Sequence, residues 1–438
     1  MTFDRINMEQ LEEDLIRIRR DLHRHPETAW TEFRTTALII SEMEKLGLPV
    51  EFGPSIHVPE KMFGMPSEAD LEACYQRALT ESDRPDLIEK MKGGFTGCIA
   101  EIRGALPGPT VGIRVDIDCN DCDEAEAETH KPAAGGYASL HPHCMHACGH
   151  DAHTAIGIGT ARILSAYQDV LPGKVILVFQ PGEEGLRGAA SMTATGRFAE
   201  CDYFFGAHVG LGISEKEKLQ VGAVVASSYG FLSSTKFDAI FHGRAAHAGA
   251  SPDLGCNAIA AASAAVVNML AIARHHSGSS RINVGTFHGG TGRNVIPDTA
   301  VLAMETRGVT NEINEYMEKS AIRVLEGAAA MYGCTVETKF MGSAGGVVCD
   351  EALVDKTVAI LEKTEGVTRI IRSGDFGGGE DVTTMMRDVQ EHGGQVTEMI
   401  LGMPLTAPHH NGFFDVDERV IGLGARVFAS LALEITRI

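Results

Sequence analysis

Three apolar runs in this chain lead into residues that bind metals or move protons, and that placement limits its fold more than any other feature. Thr110-Val-Gly-Ile-Arg-Val-Asp leads to Asp118, Lys174-Val-Ile-Leu-Val-Phe-Gln to Glu183 and Glu184, and Asp202-Tyr-Phe-Phe-Gly-Ala to His208. A helical stretch starting near His153 and ending before Pro172 separates the first run from the second. Strand and helix alternation predicts an α/β sheet whose functional groups gather in loops at the carboxyl ends of its strands. All four candidates fall at or just past such an end.

The densest polar segment, His141-Pro-His-Cys-Met-His-Ala-Cys-Gly-His150, holds four histidines and two cysteines. Packing gives no reason for it. Thiolate and imidazole bind zinc-like divalent ions well, and Cys148-Gly149-His150 offers both across a glycine that lets the backbone turn tightly. A structural zinc site from Cys119-x-x-Cys122 with Cys144 and Cys148 is the competing arrangement, but its spacing does not match the usual paired knuckles. Cys148 and His150 in a catalytic site fit better, because acidic residues and histidines recur at strand ends.

Glu183 and Glu184 sit between Pro181-Gly182 and Gly185, directly after an apolar strand. Two adjacent carboxylates repel, so burying them there is costly unless a cation compensates. One can bind metal while its neighbour accepts a proton from water. His208 and the pair His409-His410 would be ordinary strand-end and loop residues alone; beside an incomplete ligand set they become candidates.

Composition narrows the partners. With 38 basic and 59 acidic residues the chain carries a net charge of −21, which repels nucleic acid and anionic membrane surfaces. A small anionic substrate would then need a local cationic pocket. The opening residues lack the apolar core of a secretory signal, and the ten cysteines show no disulfide-framework spacing, so the expected location is the cytoplasm. The uncharged run Leu254 to Ala273 is long enough to span a bilayer, but its alanines and its Asn257, Ser263 and Asn268 favour a small-residue helix lying on a sheet.

At 438 residues two domains are expected. Residues 8–47 predict two helices, the first with Leu11, Leu15, Ile18 and Leu22 on one face, and residues 50–95 form a charged excursion without a clear pattern. From about 233 the order becomes βαββαβ, a ferredoxin-like split unit. The predicted division is 1–232 with 342–438 for one domain and 233–341 for an inserted one.

Taken in order, Arg114-x-Asp116-x-Asp118, Met145-His-Ala-Cys-Gly-His-Asp-x-His153, Phe179-Gln-Pro-Gly-Glu-Glu-Gly185, His208-Val, Gly243-Arg-Ala-Ala-His-Ala-Gly249 and Arg293-Asn-Val-Ile-Pro297 resemble the M20 metallopeptidase and amidohydrolase family over nearly the whole chain. Gly93-Gly-Phe-Thr-Gly97, Glu305-Thr-Arg-Gly308 and His409-His-Asn-x-x-Phe-Asp415 are similar to its aminobenzoyl-glutamate hydrolase A-subunit branch. The resemblance implies a phosphorylase/hydrolase-like mixed-sheet catalytic domain with a ferredoxin-like lid and dimerisation domain. It implies two divalent ions, zinc or manganese, held by Cys148, His150, Glu184, His208 and His410, with Glu183 as general base. Asp118 would orient a ligand histidine; a plain strand-end turn is its alternative. His247 would reach across a dimer to stabilise the oxyanion, and Asn294 and Arg307 would bind the substrate carboxylate, although Arg307 could be an ordinary strand residue.

The implied reaction is cleavage of an N-acyl or N-aroyl amino acid, with p-aminobenzoyl-glutamate as the leading substrate. Indoleacetyl-aspartate and hippurate are neighbouring possibilities, and a non-catalytic binding subunit is the rival of a different class. Either a homodimer or a pairing with a homologous subunit would suit the dimer. Some positions depart from the family pattern: Gly182 replaces alanine, Cys119-Asn-Asp-Cys122 replaces Ala-Leu-Pro, and Gly379 precedes Glu-Asp381 in place of serine, where the resemblance would give Asp381 a structural role. Gly157-x-Gly159 lies inside a helix and is no dinucleotide fingerprint. No Gly-x-Ser-x-Gly, His-Glu-x-x-His or Walker motif is present.

Overall fold

The computed structural model describes residues 1–211 and 218–437. The chain opens with helices α1 (Met8–Arg24) and α2 (Phe33–Lys45) and strand β1 (Val50–Phe52). The charged excursion holds α3 (Glu68–Glu81) and the one-turn α4 (Pro85–Ile88). Then come β2 (Cys98–Arg103), β3 (Leu106–Asp116), α5 (Lys131–Gly135), α6 (His150–Ala166), β4 (Pro172–Gln180), α7 (Ala189–Thr193), β5 (Tyr203–Val209), β6 (Ala223–Val225) and β7 (Ser228–Tyr229). A second set follows: β8 (Ser233–His242), α8 (Ala258–Leu270), β9 (Ser280–Gly289), β10 (Thr299–Gly308), α9 (Asn311–Met331) and β11 (Thr335–Ala344). The chain closes with α10 (Glu351–Leu361), β12 (Arg369–Ile371), β13 (Gly374–Asp375), α11 (Val382–Glu391), β14 (Gln395–Leu401) and α12 (Arg419–Glu434). Two compact units result, the first being Met1–Tyr229, Val347–Gly377 and Asp381–Ile438, the second Gly230–Gly346 with Gly378–Glu380.

In the first unit an eight-stranded mixed sheet runs β1-β2-β4-β3-β5-β14-β6-β12. Its centre is parallel: β3 pairs with β4 and β5, and β5 with β14. Parallel strands end on one edge, so the residues following Asp116 and Gln180 and those closing β5 come together. His208 is the sixth residue of β5 rather than a residue beyond it, because β14 stays paired through Val209. Helix α6 begins at His150, three residues earlier than periodicity suggests, since Gly149 turns the chain at φ +93 directly ahead of it.

Helices α1, α6 and α12 pack on one another. Gly157 and Gly159 explain how closely. A Cβ at Gly157 would stand 2.7 Å from Phe179 and 2.9 Å from Val115, and one at Gly159 would stand 2.6 Å from Leu15 and 2.9 Å from Ala425. The two glycines therefore let α6 approach the sheet on one side and α1 and α12 on the other. The α1 face corrects the expected one, since Ile18 is half-buried while Arg19 is buried with Leu11, Leu15 and Leu22. Buried carboxylates around its guanidinium make that tolerable. Arg19 ion-pairs with Asp151 at 2.7 Å and Asp415 at 2.8 Å, with Glu418 at 3.7 Å.

Within the excursion, His57 is buried: its Nε2 donates to the Thr96 carbonyl at 2.8 Å and its Nδ1 accepts from the Ser191 hydroxyl at 2.6 Å. Burial pushes its pKa down to about 4, against a partly opposing Thr96 carbonyl. The unfolded chain therefore takes up the proton first as pH falls. Stability from this ring is fully present above pH 6.5 and lost between 6.5 and 4, by about 3 kcal/mol. Urea unfolding at several pH values should show a shallower acid-side decline for His57→Gln than for the parent. Equal slopes would refute the assignment.

The second unit has the order βαββαβ, and its antiparallel sheet runs β11-β8-β10-β9. Helices α8 and α9 share a core with that sheet. Ala258, Ala261, Ala262, Ala265 and Met269 of α8 are buried with Phe237, Phe241, Leu302 and Leu325. The uncharged run is thus a 13-residue helix, about 20 Å long, whose small side chains allow a close approach. No described helix is long and apolar enough to cross a membrane.

Candidate metal centre and active site

At the amino end of α6, Gly149 needs its positive φ, and a Cβ there would press within 2.7 Å of Val209. On either side of it, Cys148 and His150 bring their ligand atoms within 4.8 Å of each other and of His208. Cys148 also belongs to a second group of the same tightness with Glu184 and His410, and His150 to a third with Glu183 and Glu184. All five predicted ligands and the predicted base are therefore brought together.

The orientations are fixed by bonds outside the donor set. His150 Nδ1 donates to the Asp118 carbonyl at 3.0 Å and lies 3.3 Å from Asp118 Oδ1. Its Nε2 is buried without a hydrogen-bond partner among the described residues, leaving it as the ring's available ligand atom. His208 Nδ1 donates to the Val209 carbonyl at 2.9 Å, and its Nε2 lies 3.4 Å from Cys148 Sγ. The backbone N–H groups of Glu183 and Glu184 donate to the two oxygens of Asp118, at 3.1 and 2.9 Å. Asp118 thus holds a histidine and both glutamates from a buried position. His410 takes φ +60, donates its N–H to the Ala147 carbonyl at 2.8 Å, and sets Nε2 3.2 Å from Glu184 Oε1.

Electrostatics shows whether a cation fits this pocket. Burial pushes the Cys148 thiol up, and Glu184 adds to that. Burial also opposes ionisation of Glu184, but His410 and His150 outweigh it and hold the carboxyl near 2. Hydrogen bonds to Cys148 and Glu184 lift His410 to about 10. Although burial disfavours a charged His150, Asp116 and Cys148 lift it well above its ordinary value. Protons on imidazoles thus balance the anionic donors, and a divalent ion bound to the same atoms would replace them. Donor types, convergence and charge all fit metal.

Beyond a structural role for Asp381, sequence reasoning missed the support behind these ligands. Asp116 accepts from His153 Nδ1 at 2.5 Å and Arg114 Nη1 at 2.7 Å, while His153 Nε2 accepts the N–H of Val209 at 3.0 Å, beside His208. Alternation on β3, which puts Arg114 and Asp116 on one face, was the available signal. Asp381 accepts from Gln180 Nε2 at 2.7 Å, Arg114 Nη2 at 3.1 Å and the Ala189 N–H at 3.0 Å, anchoring the glutamate loop behind β4. Asn120, in the departing Cys119-Asn-Asp-Cys122 stretch, exchanges backbone bonds with Met145 and accepts the Ala147 N–H at 3.1 Å. This loop thereby braces the segment that leads into Cys148.

The rest of the crowded segment serves structure. His141 donates to the Pro26 carbonyl at 2.8 Å and pairs with Glu81, His143 is exposed beside Asp123, and His146 is buried near His23. Burial and the neighbouring Cys144 push the Cys119 thiol up, and Cys122 lies near backbone carbonyls. The four cysteines of the alternative zinc site form no common donor group among the described residues.

His247, Asn294 and Arg307 belong to the second unit. His247 pairs with Val295 in an isolated bridge, and the Ala248 N–H donates to the Asn294 carbonyl at 2.9 Å, so His247 and Asn294 lie together. Arg307 does not join them. It lies eight residues along β10 from Thr299, about 27 Å of strand rise, and it forks onto Glu305 at 2.9 and 3.1 Å.

Known proteins are similar to this chain over most of its length. The profile of peptidase family M20/M25/M40 matches residues 112–434. An indole-3-acetyl-aspartic acid hydrolase of Enterobacter agglomerans is 42% identical over 425 residues, covering 97% of this chain and 96% of the relative. The A-subunit of the p-aminobenzoyl-glutamate hydrolase of Escherichia coli K12 is 41% identical over 416 residues, covering 95% and 94%. The crystal structure of an aminobenzoyl-glutamate utilization protein from Klebsiella pneumoniae superposes with a TM-score of 0.83 at 34% identity, covering 99% of this chain and 98% of that one. With its thiol, imidazole and carboxylate donors gathered at the strand ends, the chain belongs to peptidase family M20/M25/M40 and is a metal-dependent amide hydrolase.

Proposed function

We propose that the chain uses two divalent ions, zinc or manganese, to hydrolyse the amide bond of N-acyl or N-aroyl amino acids, p-aminobenzoyl-glutamate foremost, giving p-aminobenzoate and glutamate. The observation that carries this reading is the pair of donor groups sharing Cys148, with Glu183 against His150 and Glu184. Cys148, His150, His208, Glu184 and His410 would hold the ions. When bound, the ions supply Lewis acidity that activates water and polarises an amide carbonyl. Glu183, buried and fixed through its N–H, takes the proton from the attacking water and passes it to the leaving nitrogen. Asp118 keeps the His150 ring and both glutamates in register.

The tautomer of His247 suits an oxyanion donor. Its Nδ1 accepts the N–H groups of Gly249 and Ala250 at 3.1 and 3.0 Å, which puts the proton of the neutral ring on Nε2. Arg307 offers a guanidinium for the substrate carboxylate, and Asn294 an amide. Arg307 lies about 27 Å of strand rise beyond Thr299, where the loop carrying Asn294 enters β10, so one small substrate would meet both where two protomers contribute. That separation supports a homodimer through the ferredoxin-like lid, or a pairing with a homologous subunit. The ten cysteines, all thiols, suit a cytoplasmic location.

The test is release of free amine or glutamate from a panel of p-aminobenzoyl-glutamate, indoleacetyl-aspartate and hippurate by protein loaded with Zn²⁺ or Mn²⁺. Turnover of the glutamate conjugate is expected to lead, and to disappear on chelation and return on metal addition. Preference for indoleacetyl-aspartate, the substrate named for the Enterobacter relative, would move the substrate assignment. No turnover of any conjugate, alone or with a homologous subunit, would make the chain a binding subunit.

A further inference from the structure

Three successive backbone N–H groups in the Pro181-Gly182-Glu183-Glu184 turn donate to buried carboxylates from elsewhere in the first unit. Glu183 and Glu184 donate to Asp118, and Gly182 donates to Glu32 Oε1 at 2.8 Å. Glu32 is fully buried and lies just before α2, remote in sequence from every ligand. Its other oxygen accepts the Thr96 hydroxyl at 2.6 Å. The Thr96 carbonyl in turn accepts from His57, whose opposite nitrogen accepts the Ser191 hydroxyl. Ser191 is on α7, at the far end of the loop that starts at Pro181, and its carbonyl also accepts the Val58 N–H at 3.1 Å. Between those ends, Arg187 Nη1 donates to the Gly64 carbonyl at 3.1 Å. The 50–95 excursion therefore grips this loop in its middle and at its far end, and through Thr96 it steadies the carboxylate that holds its start.

We propose that Glu32 is a positioning residue for the general base Glu183, holding the Gly182 peptide from the side opposite Asp118, with Thr96 and His57 as its anchor. The role rests on the assignment of Glu183 as base. Asp118 fixes the two glutamate amides and the Gly182 carbonyl accepts the Arg187 and Gly188 N–H groups at 3.0 and 2.8 Å, but the Gly182 N–H is held by Glu32, and Gly182, at φ +64, has no side chain to brace it. A shift of about 1 Å in a catalytic group can cost on the order of 100-fold in rate. The loop's entry therefore needs its own acceptor.

Steady-state kinetics on the metal-loaded enzyme tests this. Glu32→Ala, assayed well below a melting midpoint that the unmet Gly182 and Thr96 donors will lower, should reduce kcat about 10- to 100-fold with KM within about 3-fold and unchanged bound metal by elemental analysis. Glu32→Gln, whose amide oxygen can still accept from Gly182, should recover most of the loss. Thr96→Val, which removes one anchor only, should lose about 3- to 10-fold in kcat and decides the matter if Glu32→Ala does not fold. Three results overturn the proposal: kcat within about 3-fold of the parent in Glu32→Ala (or in Thr96→Val, where that variant decides), a kcat loss accounted for by lost metal or by the unfolded fraction at the assay temperature, and no recovery with glutamine. Glu183→Gln, assayed beside them, separates the two ideas. Full activity there removes the base assignment itself, whereas an inactive Glu183→Gln with an unaffected Glu32→Ala removes only the positioning role.

Discussion

Replacing Glu183 by glutamine is expected to cut kcat by about 10²- to 10⁴-fold while the protein folds and binds metal as before. The side chain keeps its size, and the bond that positions it, from its own N–H to Asp118, is untouched. What disappears is a carboxylate able to take a proton from water and return it to the leaving nitrogen. Glu184→Gln is the informative contrast. Glu184 belongs to a donor group with Cys148 and His410, so its replacement should lower bound metal, and activity should fall with metal content. Elemental analysis alongside kinetics separates the two. A Glu183→Gln enzyme within about tenfold of the parent, or one that has lost its metal, would show that the adjacent glutamates do not divide the work in this way.

Arg19→Met should be the most damaging single change away from the reacting groups. The Arg19 side chain has no solvent exposure and stands among Asp151, Asp415 and Glu418. Burial opposes its charge, yet these carboxylates outweigh that and keep it a cation, while Asp151 is held far below the usual carboxylate range. Methionine matches much of the volume but removes the buried cation shared by Asp151 and Asp415, leaving Asp151 with His23 at 2.7 Å and Glu418 with Arg20 and Lys131, at a cost of about 3–5 kcal/mol. Asp151 directly follows His150 on α6, so weaker metal retention should accompany the lower melting midpoint. Substituting Arg372, an exposed residue paired with Glu351 and Asp355, serves as the control and should leave both unchanged. If the two variants behave alike, the buried cluster contributes little.

Much of the centre was legible because its chemistry is uncommon. Cys148-Gly-His150, at the amino end of α6, and Glu183-Glu184, just past the end of β4, carry residue pairings that packing does not favour. The choice of His410 over His409 rested on family resemblance, and the structure places His410 with Cys148 and Glu184. His409 packs instead against His208 and Phe414. Arg19 was illegible, because helical periodicity marks apolar positions and does not reveal a buried cation neutralised by acids up to 399 residues away. The excursion was illegible for a similar reason. Its local pattern is weak, and what orders it is contact with α2 and with the loop that carries the glutamates.

Taken alone, the amino-acid sequence determined the chemistry available: which side chains can bind a divalent ion, that one of two adjacent carboxylates can serve as base, and that strands and helices alternate to gather them. Local properties sufficed, since ligand type, strand alternation and helical period are all written over a few residues. Tertiary structure alone decided which of the crowded histidines and cysteines face one another, and which partners hold them. Asp118 beneath His150 and the glutamates, His153 behind Val209, and Glu32 on Gly182 join segments from 32 to 150 residues apart. Such bonds depend on where the folded backbone brings buried donors and acceptors together, and burial makes each of them costly to leave unmet.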